Sequence, residues 1–105
     1  MASRRTRTVY QPLIEPPDVA RTTERVEVLR AWLLDGRLNC VLRPTIWKGS
    51  PGAWGILLAD VLAHVADALA EETGLPRQEL HSRIRVALLA ELERPTETPE
   101  GRFVS

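Results

Sequence analysis

A small two-layer α+β domain, with three helices packed on a short sheet of about two to three strands, is the fold the sequence predicts, on three observations. Apolar residues recur at helical spacing through residues 22–35, 51–73 and 75–93. Residues 37–43 instead alternate, the period of a half-buried strand. One strand cannot stand alone, because its backbone donors and acceptors need partners, so further strands must come from elsewhere in the chain or from a second copy.

Residues 1–20 form an N-terminal arm, extended because Pro12, Pro16 and Pro17 interrupt it and no helical period runs through it; residues 21–105 form the domain. In the arm only Thr8, Val9 and Tyr10, then Leu13 and Ile14, are suited to a strand. The first helix is predicted over 22–35, with Thr22 or Thr23 as N-cap. Val26, Leu29 and Leu33 recur at i, i+3 and i+7, Trp32 widens that face, and Gly36 stops the run. The strand over 37–43 then places Leu38, Cys40 and Leu42 on one face and Asn39, Val41 and Arg43 on the other. Its candidate partners are the arm, residues 102–104 and a symmetry-related copy of itself. Pro44 ends it, Ile46 and Trp47 add apolar bulk, and Lys48, Gly49, Ser50 and Pro51 make a turn, with Ser50 as N-cap and Pro51 at the first helical position.

The second helix, 51–73, has three faces. Trp54, Leu57, Leu58, Val61, Val65 and Leu69 make a large apolar face; Ala59, Ala63, Ala66 and Ala70 make a small-residue face that lets another backbone approach; Asp60, His64, Asp67 and Glu71 make a polar third. Two non-polar sides imply a central helix covered on both. Gly74 terminates it, and Leu75-Pro76 starts a third helix reaching about Glu93, with Leu80, Ile84, Leu88 and Leu92 inward. Residues 95–99 read as an extended spacer, and Phe103 anchors the tail.

Composition narrows the functional classes. A chain of 105 residues, 44% apolar and 27% charged, folds to about 5,900 Å² of surface from about 17,000 Å² extended, enough for one core and one domain. The single cysteine, Cys40, excludes a disulfide framework. A four-ligand zinc site would have only Cys40, His64, His81 and carboxylates to draw on. The strongest apolar run, Ile56 to Ala59, stops at Asp60, so no bilayer-spanning segment is expected, and no apolar stretch follows Arg4, Arg5 and Arg7 as in a secretory signal. The expected location is the cytoplasm. Residues 1–50 carry nine basic and five acidic groups and residues 51–105 carry five and nine. Halves of +4 and −4 suit self-complementary docking better than binding a polyanion.

Several residues are candidates for chemistry. Asp60, His64 and Asp67, at i+4 and i+3 spacing, lie within mutual reach on one helix, where they could bind a metal or tune an imidazole; the plainer reading is a solvated acidic stripe. Lys48 and Ser50, near Arg43 at a helix N-terminus, could hold a small anion. Gly49, Gly52 and Gly55 superficially suggest a phosphate cradle, but Lys48 precedes the glycines, unlike a Walker loop, and a tight turn plus close helix packing explains them. Cys40, on the inward strand face, reads as a small hydrophobe, and with Ala59, Ala63 and Ala66 it marks a candidate interface. Trp32, Trp47 and Trp54 read as core rather than as a base-stacking platform.

The order Leu29-Arg30-Ala31-Trp32, Gly36, Leu38, Leu42-Arg43-Pro44, Trp47, Pro51, Ala53 through Asp60, and His64 resembles a family of short bacterial proteins, chiefly alphaproteobacterial, known as a domain of unknown function. The resemblance covers residues 26–70 and extends softly to Thr98, Pro99, Gly101 and Phe103, leaving the first twenty residues outside. It implies a compact α+β domain and brings no reaction, cofactor or catalytic residue. The expectation is therefore a non-enzymatic homodimeric interaction or accessory module, with a further protein partner and no cofactor. The alternative is a small-ligand, anion or metal-binding protein, enzymatic or not, using the polar stripe of the second helix. A third reading, nucleic-acid binding through the arginine arm, competes with simple solubility.

Overall fold

Two six-residue apolar runs joined by Asp35-Gly36 fold as a β-hairpin in the structure, a computed structural model that describes residues 10–96 and 100–103. Strand β1 (Leu29–Leu34) pairs antiparallel with β2 (Arg37–Leu42), Ala31 opposite Cys40 and Trp32 opposite Asn39. Asp35 at φ 51° and Gly36 at φ 80° supply the two left-handed residues of the tight turn that matches strand twist. This corrects the helix expected over 22–35: its second half is a strand, and Gly36 closes a turn rather than a helix. Leu29, Ala31 and Leu33 alternate as well as they follow a helical period, and β2 gives them a hydrogen-bonding partner that a helix would not need. The Arg43 N–H donates to the Val28 carbonyl at 3.1 Å, carrying the hairpin one pair further.

The arm is not wholly extended either. Helix α1 (Pro17–Arg21) places Pro17 in its first turn, where the missing N–H costs nothing, with Asp18 beside it and Arg21 in the last turn. Thr22, expected to start a helix, instead donates its hydroxyl to the Asp18 carbonyl at 2.6 Å at the end of α1.

The second and third helices form where expected. Helix α2 (Gly52–Thr73) and helix α3 (Arg77–Glu93) make an antiparallel hairpin, and Gly74, at φ 74°, caps α2 by donating to the Ala70 carbonyl at 2.9 Å. The Ser50 side chain makes no cap hydrogen bond; Pro51 occupies the capping position. A Cβ added at Gly49, Gly52 or Gly55 would meet nothing within 4 Å, so the close packing expected at Gly52 and Gly55 is absent within the chain.

Strand β3 (Glu100–Phe103) adds parallel to the other edge of β2, Cys40 in register with Gly101 and Leu42 with Phe103, giving the sheet order β1-β2-β3. The C-terminal segment is thus the partner chosen from the three candidates. Parallel neighbours need a crossover, and α2–α3 is that crossover. Arm residues Thr8 and Val9 lie outside the described residues.

The chain is a small α+β domain, but its layers do not close. Among the described residues the elements that approach one another are β1 with β2, β2 with β3, and α2 with α3. Only Ala66 and Leu80 are buried. The expectation that α2 is covered on two sides is corrected accordingly: α3 covers its alanine side, while Leu58, Val61, Val65 and Leu69 stay exposed. Helix α2 is also long and apolar enough to cross a bilayer by length and composition, with mean hydropathy 1.5 over its best window. Counting uninterrupted apolar runs missed this, because Asp60 splits the run without lowering the average far.

Candidate interaction surface

Pairing fixes which strand residues share a face. Partners across an antiparallel ladder lie on the same side of the sheet, so Leu29, Ala31 and Leu33 of β1 join Leu38, Cys40 and Leu42 of β2 on one continuous apolar face. None of these six is buried: Leu29, Cys40 and Leu42 are half-buried, Ala31 and Leu38 are exposed, and Leu33 is 73% exposed. The opposite face carries Arg30, Trp32 and Leu34 with Arg37, Asn39 and Val41.

The helical hairpin presents a second apolar surface. Ala63 and Ala70 are half-buried and Ala66 fully buried where α3 lies alongside, whereas Ala59, on the same side two turns earlier, is exposed. On another side of α2, Leu58, Val61, Val65 and Leu69 form an exposed stripe, and Leu88 and Leu92 of α3 are exposed as well. Each leaves part of an apolar side chain in water, forgoing a share of the roughly 1.5–3 kcal/mol that full burial from water would bring.

A short connector separates the two surfaces. Trp54 Nε1 donates to the Pro44 carbonyl at 3.1 Å, and the Trp47 and Trp54 rings meet edge to face with centroids 5.2 Å apart. Backbone bonds from Ile46 to Arg43, Ser50 to Trp47, Ala53 to Ser50 and Trp54 to Pro51 fill the rest of the connector. Trp47 and Trp54 therefore serve as packing residues, as expected, at a junction rather than in a central core; Trp32 lies on the strand face away from Cys40.

The polar candidates are dispersed. Asp60 and His64 are exposed on α2, while Asp67 is committed to an ion pair with the Arg77 Nε of α3. Among the described residues no group of three or more His, Cys, Asp or Glu side chains could hold a metal ion. Lys48 is exposed in the turn. At the start of α2, Pro51 has no N–H, and those of Ala53 and Trp54 are already bonded at 3.0 and 3.1 Å, which leaves few donors for an anion beside Ser50. A shallow hollow of about 250 Å³ lies between Glu27, Arg30, Val41, Leu42 and Arg43. In it the Arg30 guanidinium is held bidentately by the Glu27 carboxylate at 2.9–3.1 Å. Sequence reasoning missed the sheet face because it placed β1 on a helix; the two-residue Asp-Gly link was the signal that could have found it.

A family model for a domain of unknown function, DUF5076, matches residues 12–96. The chain belongs to this family. The match includes part of the arm, which the motif resemblance left out, and stops short of the 98–103 tail, which it took in. A solved structure provisionally named a pyruvate dehydrogenase, from the photosynthetic bacterium Rhodopseudomonas palustris CGA009, is similar over 100% of both chains at 34% identity and a TM-score of 0.67. Among curated proteins none matches.

Proposed function

We propose that this DUF5076 chain is a non-enzymatic interaction module that works as a homodimer. One observation carries the reading: the chain exposes 9948 Å², where a compact chain of its mass would expose about 5,900 Å². Discounting residues 1–20 removes about 2,200 Å² of the difference. The remaining 1,800 Å² or so per chain, about 3,600 Å² for a pair, falls in the range of obligate dimers. The sheet face and the α2 stripe supply apolar surface for it.

A lipid surface competes for the same stripe, since α2 meets the length and hydropathy needed to span a bilayer. Asp60 and Asp67 weigh against that, because each acidic residue near the centre of a spanning helix costs about 2.5–3.5 kcal/mol. The name of the Rhodopseudomonas relative points to a dehydrogenase. The described residues favour carrying over no such activity: His64 stands open to water, Asp67 is tied to Arg77, and the hollow beside Arg30 encloses little.

Light scattering after gel filtration at micromolar concentration, without detergent, tests the reading. Twice the 11.8 kDa chain mass is expected; a monomer throughout, or flotation with lipid vesicles, overturns it.

A further inference from the structure

The two bare apolar surfaces belong to one chain, yet the connector holds them apart. Residues 43–51 are filled by consecutive turns, and the Trp54 indole is bonded back to Pro44. The hairpin therefore cannot swing onto its own sheet without breaking the Trp47–Trp54 contact. The shape agrees: the radius of gyration is 16.7 Å, with extents of 53 × 35 × 34 Å, against about 13 Å for a compact chain of this length. Helices that cross between adjacent parallel strands ordinarily lie on the sheet they connect, and here, among the described residues, neither α2 nor α3 packs on the sheet.

We infer that a second copy of this chain takes that place reciprocally: the α2 stripe of each protomer packs on the Leu29, Leu33, Leu38, Cys40 face of the other's sheet. This rests on the homodimer reading and specifies its geometry. Charge selects the reciprocal arrangement over a like-on-like one. The hairpin strands and their turn, residues 29–42, carry Arg30, Arg37 and Asp35, a net +1, whereas the helices, residues 52–93, carry seven acidic and three basic groups, a net −4. Helix against helix would set −4 beside −4, whereas sheet against the partner's helices sets opposite net charges together, an arrangement that steers encounter and fixes register. The two-fold operation closes both contacts at once, as an isologous interface does.

The sole cysteine makes the arrangement readable. Cys40 sits on the sheet face, so wild-type protein and a Val65→Cys variant are each treated with a short bismaleimide and read by intact mass. Leu69→Cys serves as a second variant should Val65→Cys not fold. A species of twice the chain mass, seen with the variant and lost when Cys40→Ala is added, is the expected result. A cross-linked wild-type dimer would mean sheet on sheet, and persistence of the cross-link in the Cys40→Ala background would mean helix on helix; either overturns the reciprocal geometry while leaving the homodimer standing. So would a dimeric mass with no cross-link. Cross-linking confined to single chains, or a monomer by light scattering, overturns the geometry and the homodimer together.

Discussion

Trp47 and Trp54 meet edge to face, their planes at 81°, and the contact decides where everything after residue 51 goes. Six residues separate them, across a turn that contains Pro51, so the pair locks the first turn of α2 against the exit of β2. Few other tertiary restraints act among the described residues, of which only Ala66 and Leu80 are buried. A half-buried aromatic pair is thus a large share of what orients the helical hairpin.

Trp54→Phe keeps most of the ring contact and deletes the indole N–H donor to Pro44. The expected loss is about 0.5–1.5 kcal/mol, while Trp47→Ala removes the edge contact itself, worth about 0.5–1.5 kcal/mol beyond its buried area. Urea denaturation at fixed protein concentration measures both. A larger effect of Trp54→Phe than of Trp47→Ala would mean the hydrogen bond, not the ring packing, holds the connector.

The Asp35-Gly36 turn makes a backbone prediction. Gly36 sits at φ 80° with open space where a Cβ would stand, so Gly36→Ala costs only the left-handed conformation, about 1–2 kcal/mol. A fall in Tm of at least 4 °C is expected. Gly55, in α2 with the same open space but no positive φ, should behave oppositely, Gly55→Ala raising stability by about 0.5–1 kcal/mol. A destabilising Gly55→Ala would show that another backbone approaches α2 there from outside the chain.

How far this fold was legible in sequence follows from the same turn. Helices α2 and α3 were readable because their apolar periods run for many turns and Gly74 stands where a left-handed cap is needed. Residues 29–34 were not, because Leu29 and Leu33 fit a helical period while Leu29, Ala31 and Leu33 fit an alternating one. Only the pairing across Asp35-Gly36 decides between them. The tail's pairing with β2 was one candidate of three, and its parallel register depends on where the helical crossover delivers the chain. For the site, spacing placed Asp60, His64 and Asp67 together on one helix, but not Arg77, which reaches Asp67 only once α3 folds back. The bareness of the Val61 and Val65 face is a tertiary fact that no periodicity encodes.

Of the four alanines on the small-residue face of α2, Ala66 is the one fully buried. Ala66→Leu forces three extra heavy atoms into a filled contact and should cost about 1–3 kcal/mol. Ala59→Leu, exposed on the same side, should change the urea midpoint by less than about 0.5 kcal/mol of equivalent stability. Equal losses would show that Ala59 too is covered.

The polar stripe of α2 yields the remaining prediction. Asp67 binds Arg77 with side chains 59% and 44% exposed, so solvent screens the pair and Asp67→Asn should lose no more than about 1 kcal/mol, less at high salt. His64 stands beside this pair without joining it. In a zinc titration followed by calorimetry, His64→Ala should therefore match the wild type, because one exposed imidazole with a carboxylate already engaged offers too few ligands for a defined site. A tenfold or greater loss of zinc affinity in His64→Ala would require ligands from a second chain, and would turn the stripe from a solvated face into a shared metal site.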